Sequence, residues 1–259
     1  MTLSYLNLVL GLLLLAVPGY LIYVYDRQLL GKAATAVVRM VVQMAAVGGC
    51  LWLLYRYDSV WLCLAWLAVL VVAAAFLLVS RTRMPSRVLM LPACVAMFVS
   101  VLAVSAYVLY GVLRPETPMS ARWLVPVTGV LMAHVLTTNI HGVRTYFDSL
   151  RQDSQPYYTL LGNGATRLQA LAPYITRALR SMLMPAVGNF SIMGLFVMPM
   201  LLSGLLIGGM KPVEAVLAFV AMMIAAVAAS ALSLLATLWL ADLKSFNRQG
   251  RLNIESKQQ

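Results

Sequence analysis

Acidic residues are scarce in this chain: eight Asp and Glu among 259 residues, against nineteen Lys and Arg, with charged residues of both signs making up only 10%. All eight fall in loops or at the ends of apolar runs. No pair of carboxylates therefore lies within an apolar segment to serve as a general acid and base or as a proton relay. Cysteine occurs three times, at 50, 63 and 94, inside apolar runs and without a CxxC pair, which signals neither a disulfide framework nor a zinc site. Cys50, Cys63 and Cys94 read as small buried apolar side chains. The phosphate-cradling pattern GxxxxGK[ST] is missing, since Gly208, Gly209 and Lys211 run into Pro212, so the chain cannot hold ATP phosphates by itself. Neither GxSxG nor HExxH occurs, and an enzyme reading has almost nothing to stand on.

Apolar residues are abundant. They make up 62% of the chain, with a mean hydropathy of +0.88, well above an ordinary soluble domain. Cutting at charges and turn formers leaves seven apolar runs, at 3–25, 33–55, 60–79, 88–113, 124–143, 187–209 and 213–243, each near the length that crosses a bilayer as a helix. The first lacks a basic leader and a small-residue cleavage site and reads as a retained helix. With the N-terminus outside, fifteen of the nineteen basic residues fall in inside loops, and only Arg56, Arg114, Arg122 and Lys211 fall outside. The positive-inside rule then predicts an all-α integral membrane protein of about seven spans, N-out and C-in. The net charge of +11 sets topology and does not point to nucleic acid. One transmembrane domain over 1–259 is expected, with a long cytosolic segment at 144–185 and a polar, basic tail at 244–259.

The long segment is informative. Leu168, Leu171, Ile175, Leu179 and Leu183 recur at helical spacing, with Arg167, Thr176, Arg177 and Arg180 between them, which predicts an amphipathic helix lying on a surface or against a partner. No charged residue follows between Arg180 and Lys211. A docking surface is thus joined directly to a span.

Polar residues inside the spans are candidates for a pathway. Arg39 and Gln43 lie four apart on one helical face. His134, Thr137, Thr138 and His141 follow i, i+3, i+4, i+7 spacing, with Asn139 off to the side. The two rings lie roughly 10 Å apart along one helix and cannot share a small ion without a bend, so His134 carries the functional expectation and His141 a structural one. Methionines including Met193 and Met198 suit either core packing or a soft-ion path. Pro199 and the glycines around it mark a kinked or broken sixth span, and Gly204 with Gly208 has GxxxG spacing suited to close helix packing.

The series Gly164-Ala165-Thr166, Gln169-Ala170, Pro185, Gly194-Leu195, Pro199, Ser203-Gly204, Gly209, Pro212 and Ala215, with Arg39-x-x-x-Gln43-x-x-x-Val47-Gly48 in the second span, resembles the FetB, or UPF0014, family of ABC-transporter permeases. The resemblance covers nearly the whole chain. It implies a permease working as two copies with two cytosolic ATPase subunits that carry ATP and magnesium, in a bacterial cytoplasmic membrane and in contact with its lipid. Bacterial members are associated with iron export; plant relatives are tied to aluminium tolerance, with a nucleotide sugar proposed as cargo. By analogy, Gly164, Ala165, Thr166, Arg167 and Gln169 would belong to the coupling helix that enters the ATPase. Arg39, Gln43, His134, Thr138, Asn189, Met193, Met198, Pro199, Ser203 and Gly204 would line the substrate pathway. The sequence departs from the family pattern at Met200-Leu201-Leu202, at Ala133-His134 and at Gly188, which bears on substrate rather than architecture. The rival expectations are an accessory membrane protein without a transport cycle, a haem- or metal-binding protein using His134 and His141, and a gradient-driven transporter.

Overall fold

The computed structural model describes residues 13–25, 27–82, 85–153, 155–192 and 200–245. Among them every regular element is helical. In chain order these are α1 (Ala16–Tyr25), α2 (Arg27–Tyr57), α3 (Val60–Thr82), α4 (Ser86–Tyr107), a π-helical turn (Val108–Leu113), α5 (Ala121–Gln152), α6 (Gln155–Gly162), α7 (Arg167–Ile192), α8 (Met200–Ile207) and α9 (Pro212–Ser245). Among the described residues five stretches are long and apolar enough to cross a membrane: Gly31–Tyr57, Val60–Thr82, Val88–Leu113, Ala121–Gln152 and Pro212–Leu243. They match the second to fifth and the seventh expected runs. The first run is represented by α1, and the sixth by the end of α7 and by α8, with 193–199 outside the described residues.

The chain divides into two compact units, 1–57 and 58–259. The first contains α1 and α2. Arg27 donates to the Tyr23 hydroxyl at 3.2 Å and lies 4.7 Å from its ring centroid, a cation over an aromatic face.

The second unit is built around α9, which packs along α4 and α5, while α5 also meets α3 and α7. The buried face of α9 is rich in small residues, among them Ala215, Ala218, Ala225, Ala226, Ala229, Ser230 and Ser233. Small side chains let helix backbones approach closely where lipid offers no hydrophobic drive for association. α4, which packs along α9, buries Leu89, Ala93, Ala96, Met97 and Val101. At the α5–α9 contact, Gly142 faces Leu234, and a Cβ at 142 would come within 2.7 Å of Leu234 Cδ2.

Helix ends are tied from outside their own helices. Asp58, with φ of 39°, accepts the Ala121 backbone N–H at 2.6 Å, so an aspartate far away in sequence satisfies one of the orphan donors at the start of α5.

Side-chain pairs set the helix directions. Asn139 meets Ser233 and Tyr146 meets Asp242, so α5 and α9 run parallel. Thr145 meets Ser181 at 2.8 Å and Asp153 meets Arg177 at 3.6 Å, so α7 runs antiparallel to α5. The start of α7 therefore lies beside the C-terminal ends of α5 and α9. At the other end, Leu201 and Leu205 of α8 share a cavity of about 170 Å³ with Trp123 and Pro126 of α5 and with Ala218 and Met222 of α9.

Candidate functional site

The segment expected to face a partner is a compact helix–turn–helix. α6 ends in a turn at Gly164, whose φ of +83° places it in the left-handed region that glycine adopts without a Cβ clash. There the Gly164 N–H donates to the Leu161 carbonyl and the Ala165 N–H to the Leu160 carbonyl, both at 3.0 Å, closing the orphan carbonyls of α6. Two residues on, Thr166 and Gln169 form a capping box. The Thr166 N–H donates to Gln169 Oε1 at 2.9 Å and the Gln169 N–H to Thr166 Oγ1 at 3.4 Å, which starts α7. Gly164, Ala165, Thr166, Arg167 and Gln169 are thus brought together in one turn and the first turn of α7. Gly164, Thr166 and Gln169 are exposed there.

This turn is anchored behind its exposed face. An Arg167 guanidinium nitrogen donates to the backbone carbonyl of Asp242 near the end of α9. The Asp242 carboxylate in turn accepts the Tyr146 hydroxyl, which lies 2.9 Å and 2.8 Å from its two oxygens. Tyr146 is wholly buried and Asp242 almost so, and hydrogen bonds to an ionised group are about twice as strong as neutral ones. On the α6 side Tyr157 is also wholly buried; burial pushes its phenol up from the ordinary range, with the Arg167 charge acting in the opposite direction. Further along, the Tyr174 hydroxyl donates to the Asp153 carbonyl, and Arg177 sits 5.8 Å from the Tyr174 ring centroid. These contacts fasten α7 to the end of α5.

Two features of α7 add to what the leucine stripe predicts. The stripe Leu168, Leu171, Ile175, Leu179 and Leu183 is not the buried face of α7: Leu168 is 66% exposed, and the buried positions are Ala170, Leu171, Tyr174, Ala178, Met182 and Ala186. α7 is packed on α5 within the chain, where Ala170, Ala178 and Ala186 admit close approach beside Leu171, Tyr174 and Met182, while Leu168 turns outward. In addition, the amphipathic helix and the start of the sixth run are one element, since α7 continues through Pro173 and Pro185 to Ile192.

The expected pathway residues are placed variously. Arg39 and Gln43, in the first unit, border an open space of about 900 Å³ with Lys32, Thr35 and Val42. Asn189 and Gly204 are exposed and Ser203 is half-buried. Met193, Met198 and Pro199 lie outside the described residues. His134 is half-buried, with Nε2 inside the protein and without a hydrogen-bond partner, while His141 is exposed. The Thr138 hydroxyl donates back to the His134 carbonyl at 2.7 Å, and Thr137 does the same at 2.9 Å. Next to this face Asn139, wholly buried, makes a polar contact between α5 and α9, its Nδ2 donating to Ser233 Oγ at 2.7 Å. Its Oδ1 and the Thr237 hydroxyl are buried without partners. This contact between α5 and α9 lies beside the His/Thr face rather than on it. The heptad-like run Leu131, Val135, Asn139, Gly142 and Tyr146, all buried, was the available signal.

Among the described residues no group of three or more His, Cys, Asp or Glu could hold a metal ion, and the three cysteines are free.

A family model described as "Uncharacterised protein family (UPF0014)" matches residues 5–246. The chain belongs to the UPF0014 family. The UPF0014 membrane protein slr1647 of Synechocystis is 27% identical over 72% of this chain and 72% of its own length. The Arabidopsis thaliana protein ALUMINUM SENSITIVE 3 is 26% identical over 75% of this chain and 70% of its own length. The UPF0014 membrane protein YjkA of Bacillus subtilis is 21% identical over 82% and 84%. No solved structure matches the chain. Membership of a membrane family agrees with the helical, apolar architecture described above.

Proposed function

We propose that this UPF0014 protein is the membrane-spanning permease subunit of an ABC transporter, working as a homodimer with a separate cytosolic ATPase that supplies ATP and magnesium. The observation that carries the reading is the exposed Gly164 turn, capped on both sides and tied through Arg167 to the end of α9. A turn that is exposed in front and fastened behind can pass a partner's motion to the bundle. The basic residues Arg144, Arg151, Arg167 and Arg177 gather at this end of α5 and α7, which the positive-inside rule assigns to the cytosol; in a bacterium the membrane is the cytoplasmic one. Transport follows only if the ATPase binds the two permease states with different affinity.

The cargo is proposed to be iron, another metal ion or a small polar solute, moved outward. The family resemblance and the name of the Arabidopsis relative support a metal-linked role. The test is to purify the tagged chain in mild detergent from its native host and identify what co-elutes. An ABC ATPase in near-equal amount, with hydrolysis stimulated by ferrous iron or another metal, is the expected outcome. A chain recovered alone under several mild conditions refutes the reading.

A further inference from the structure

Asp242 is held by two different elements through two different groups. Its carboxylate takes the Tyr146 hydroxyl of α5, and its backbone carbonyl takes the Arg167 guanidinium at the start of α7. Three helices therefore meet at one residue, directly behind the exposed turn. A structural tie between α5 and α9 would need only the first of these bonds. The second brings in Arg167, which immediately follows the capping-box threonine, so the turn cannot shift without pulling on α9 or releasing it. The site is also dry: Tyr146 is 0% exposed and Asp242 8%, and removing one partner of a buried bond to a charged group leaves the other without compensation.

We propose that Asp242 is a positioning residue, and that Asp242, Tyr146 and Arg167 form the latch through which movement of the 163–166 turn is passed to α5 and α9. This rests on the permease reading. The latch acts along rigid elements: α5 runs from Tyr146 back to Ala121, so a tilt imposed at Tyr146 is delivered roughly 40 Å away, at 1.5 Å per residue, in the loop that holds Met119.

The test uses the full chain with its co-purified ATPase in lipid nanodiscs. Cys50, Cys63 and Cys94 are replaced by Ala, and a reporter is introduced as Met119→Cys. The readout is the rate at which a membrane-impermeant maleimide labels position 119, with and without ATP and vanadate. The reporter protein is expected to change its labelling rate at least fivefold on vanadate trapping. With Tyr146→Phe, which keeps the ring and its packing, ATPase stoichiometry and trapping stay the same but the change at 119 falls below twofold. Asp242→Asn, which still offers an oxygen to the phenol, retains part of the change, and Asp242→Leu removes it. A full change at 119 in Tyr146→Phe overturns the latch and leaves the permease reading intact, as does equal behaviour of Asp242→Asn and Asp242→Leu. Absence of an ATPase from the parent protein overturns the permease reading itself.

Discussion

Gly142 offers a direct measure of how closely α5 and α9 pack. A Cβ at this position would lie 2.7 Å from Leu234 Cδ2 and 2.9 Å from Cδ1, roughly 0.7 Å inside the range of ordinary van der Waals contact. Leu234 is wholly buried, so its side chain moves only within a packed interior. Forcing an extra methyl into a packed core costs about 1–3 kcal/mol. Against this, alanine is favoured over glycine within a helix by about 0.5–1 kcal/mol. Gly142→Ala should therefore destabilise the protein by about 1–2 kcal/mol. Leu234→Ala alone should cost about 2–5 kcal/mol by opening a cavity. In the double variant the new methyl enters the space that the leucine vacates, so the total should fall short of the sum by about 1 kcal/mol or more. Unfolding in mixed micelles by graded SDS gives these numbers, and a thiol-reactive dye offers a second probe because Cys63 is buried in the folded chain. A Gly142→Ala variant as stable as the parent, or strict additivity in the double variant, would refute the close α5–α9 contact.

Three further outcomes follow from the geometry. Gly164→Arg, at φ of +83° with open space around its Cβ, should leave the chain inserted at a cost of about 1–2 kcal/mol in backbone strain while abolishing ATPase-driven transport; unchanged transport removes the docking assignment. Asp58→Ala should cost about 1 kcal/mol by uncapping α5, whereas Asp58→Asn, which still presents an acceptor to the Ala121 N–H and tolerates the left-handed backbone, should stay within a few tenths; thermal unfolding distinguishes them. A double-mutant cycle of Asn139→Ala with Ser233→Ala should give a coupling of about 0.6 kcal/mol, the average for such interhelical bonds in membranes, and a coupling of zero would dissolve that contact.

The spans were legible because hydropathy and loop charge act locally, and no partner helix is needed to read them. The turn at 164–169 was legible in part for the same reason: glycine in a left-handed turn followed by T-x-x-Q is local chemistry. The faces of the helices were a different matter. In a lipid-facing helix leucine and alanine are both apolar, so periodicity cannot say which of them turns inward. The structure buries Ala170, Ala178 and Ala186 on α7 beside Leu171, Tyr174 and Met182 and leaves Leu168 out, and the small residues let the helices approach closely. Asn139 is hidden for another reason, since it lies off the i, i+3, i+4, i+7 face that His134 and Thr138 share. Asp242 escaped notice because one carboxylate at the end of an apolar run looks like a solvated boundary. Its partner is Tyr146, 96 positions earlier, and no local pattern reports a contact of that range.

Helix direction links these pieces. α5 and α9 run parallel, since Asn139 pairs with Ser233 and Tyr146 with Asp242, so the chain between them must return along the length of the bundle. α7 performs the first part of that return, antiparallel to α5 from Asp153 and Arg177 to Thr145 and Ser181. α8, sharing a cavity with the N-terminal parts of α5 and α9, lies where the return finishes. The exposed turn at Gly164 thus lies at the end where α5 and α9 both finish, and the sixth run reaches the opposite end. A push on the turn acts on the start of the returning helix and, through Arg167 and Asp242, on the ends of the two helices that flank it. The two contacts at Asp242, with Tyr146 and with Arg167, are the ones that a docking partner would have to move.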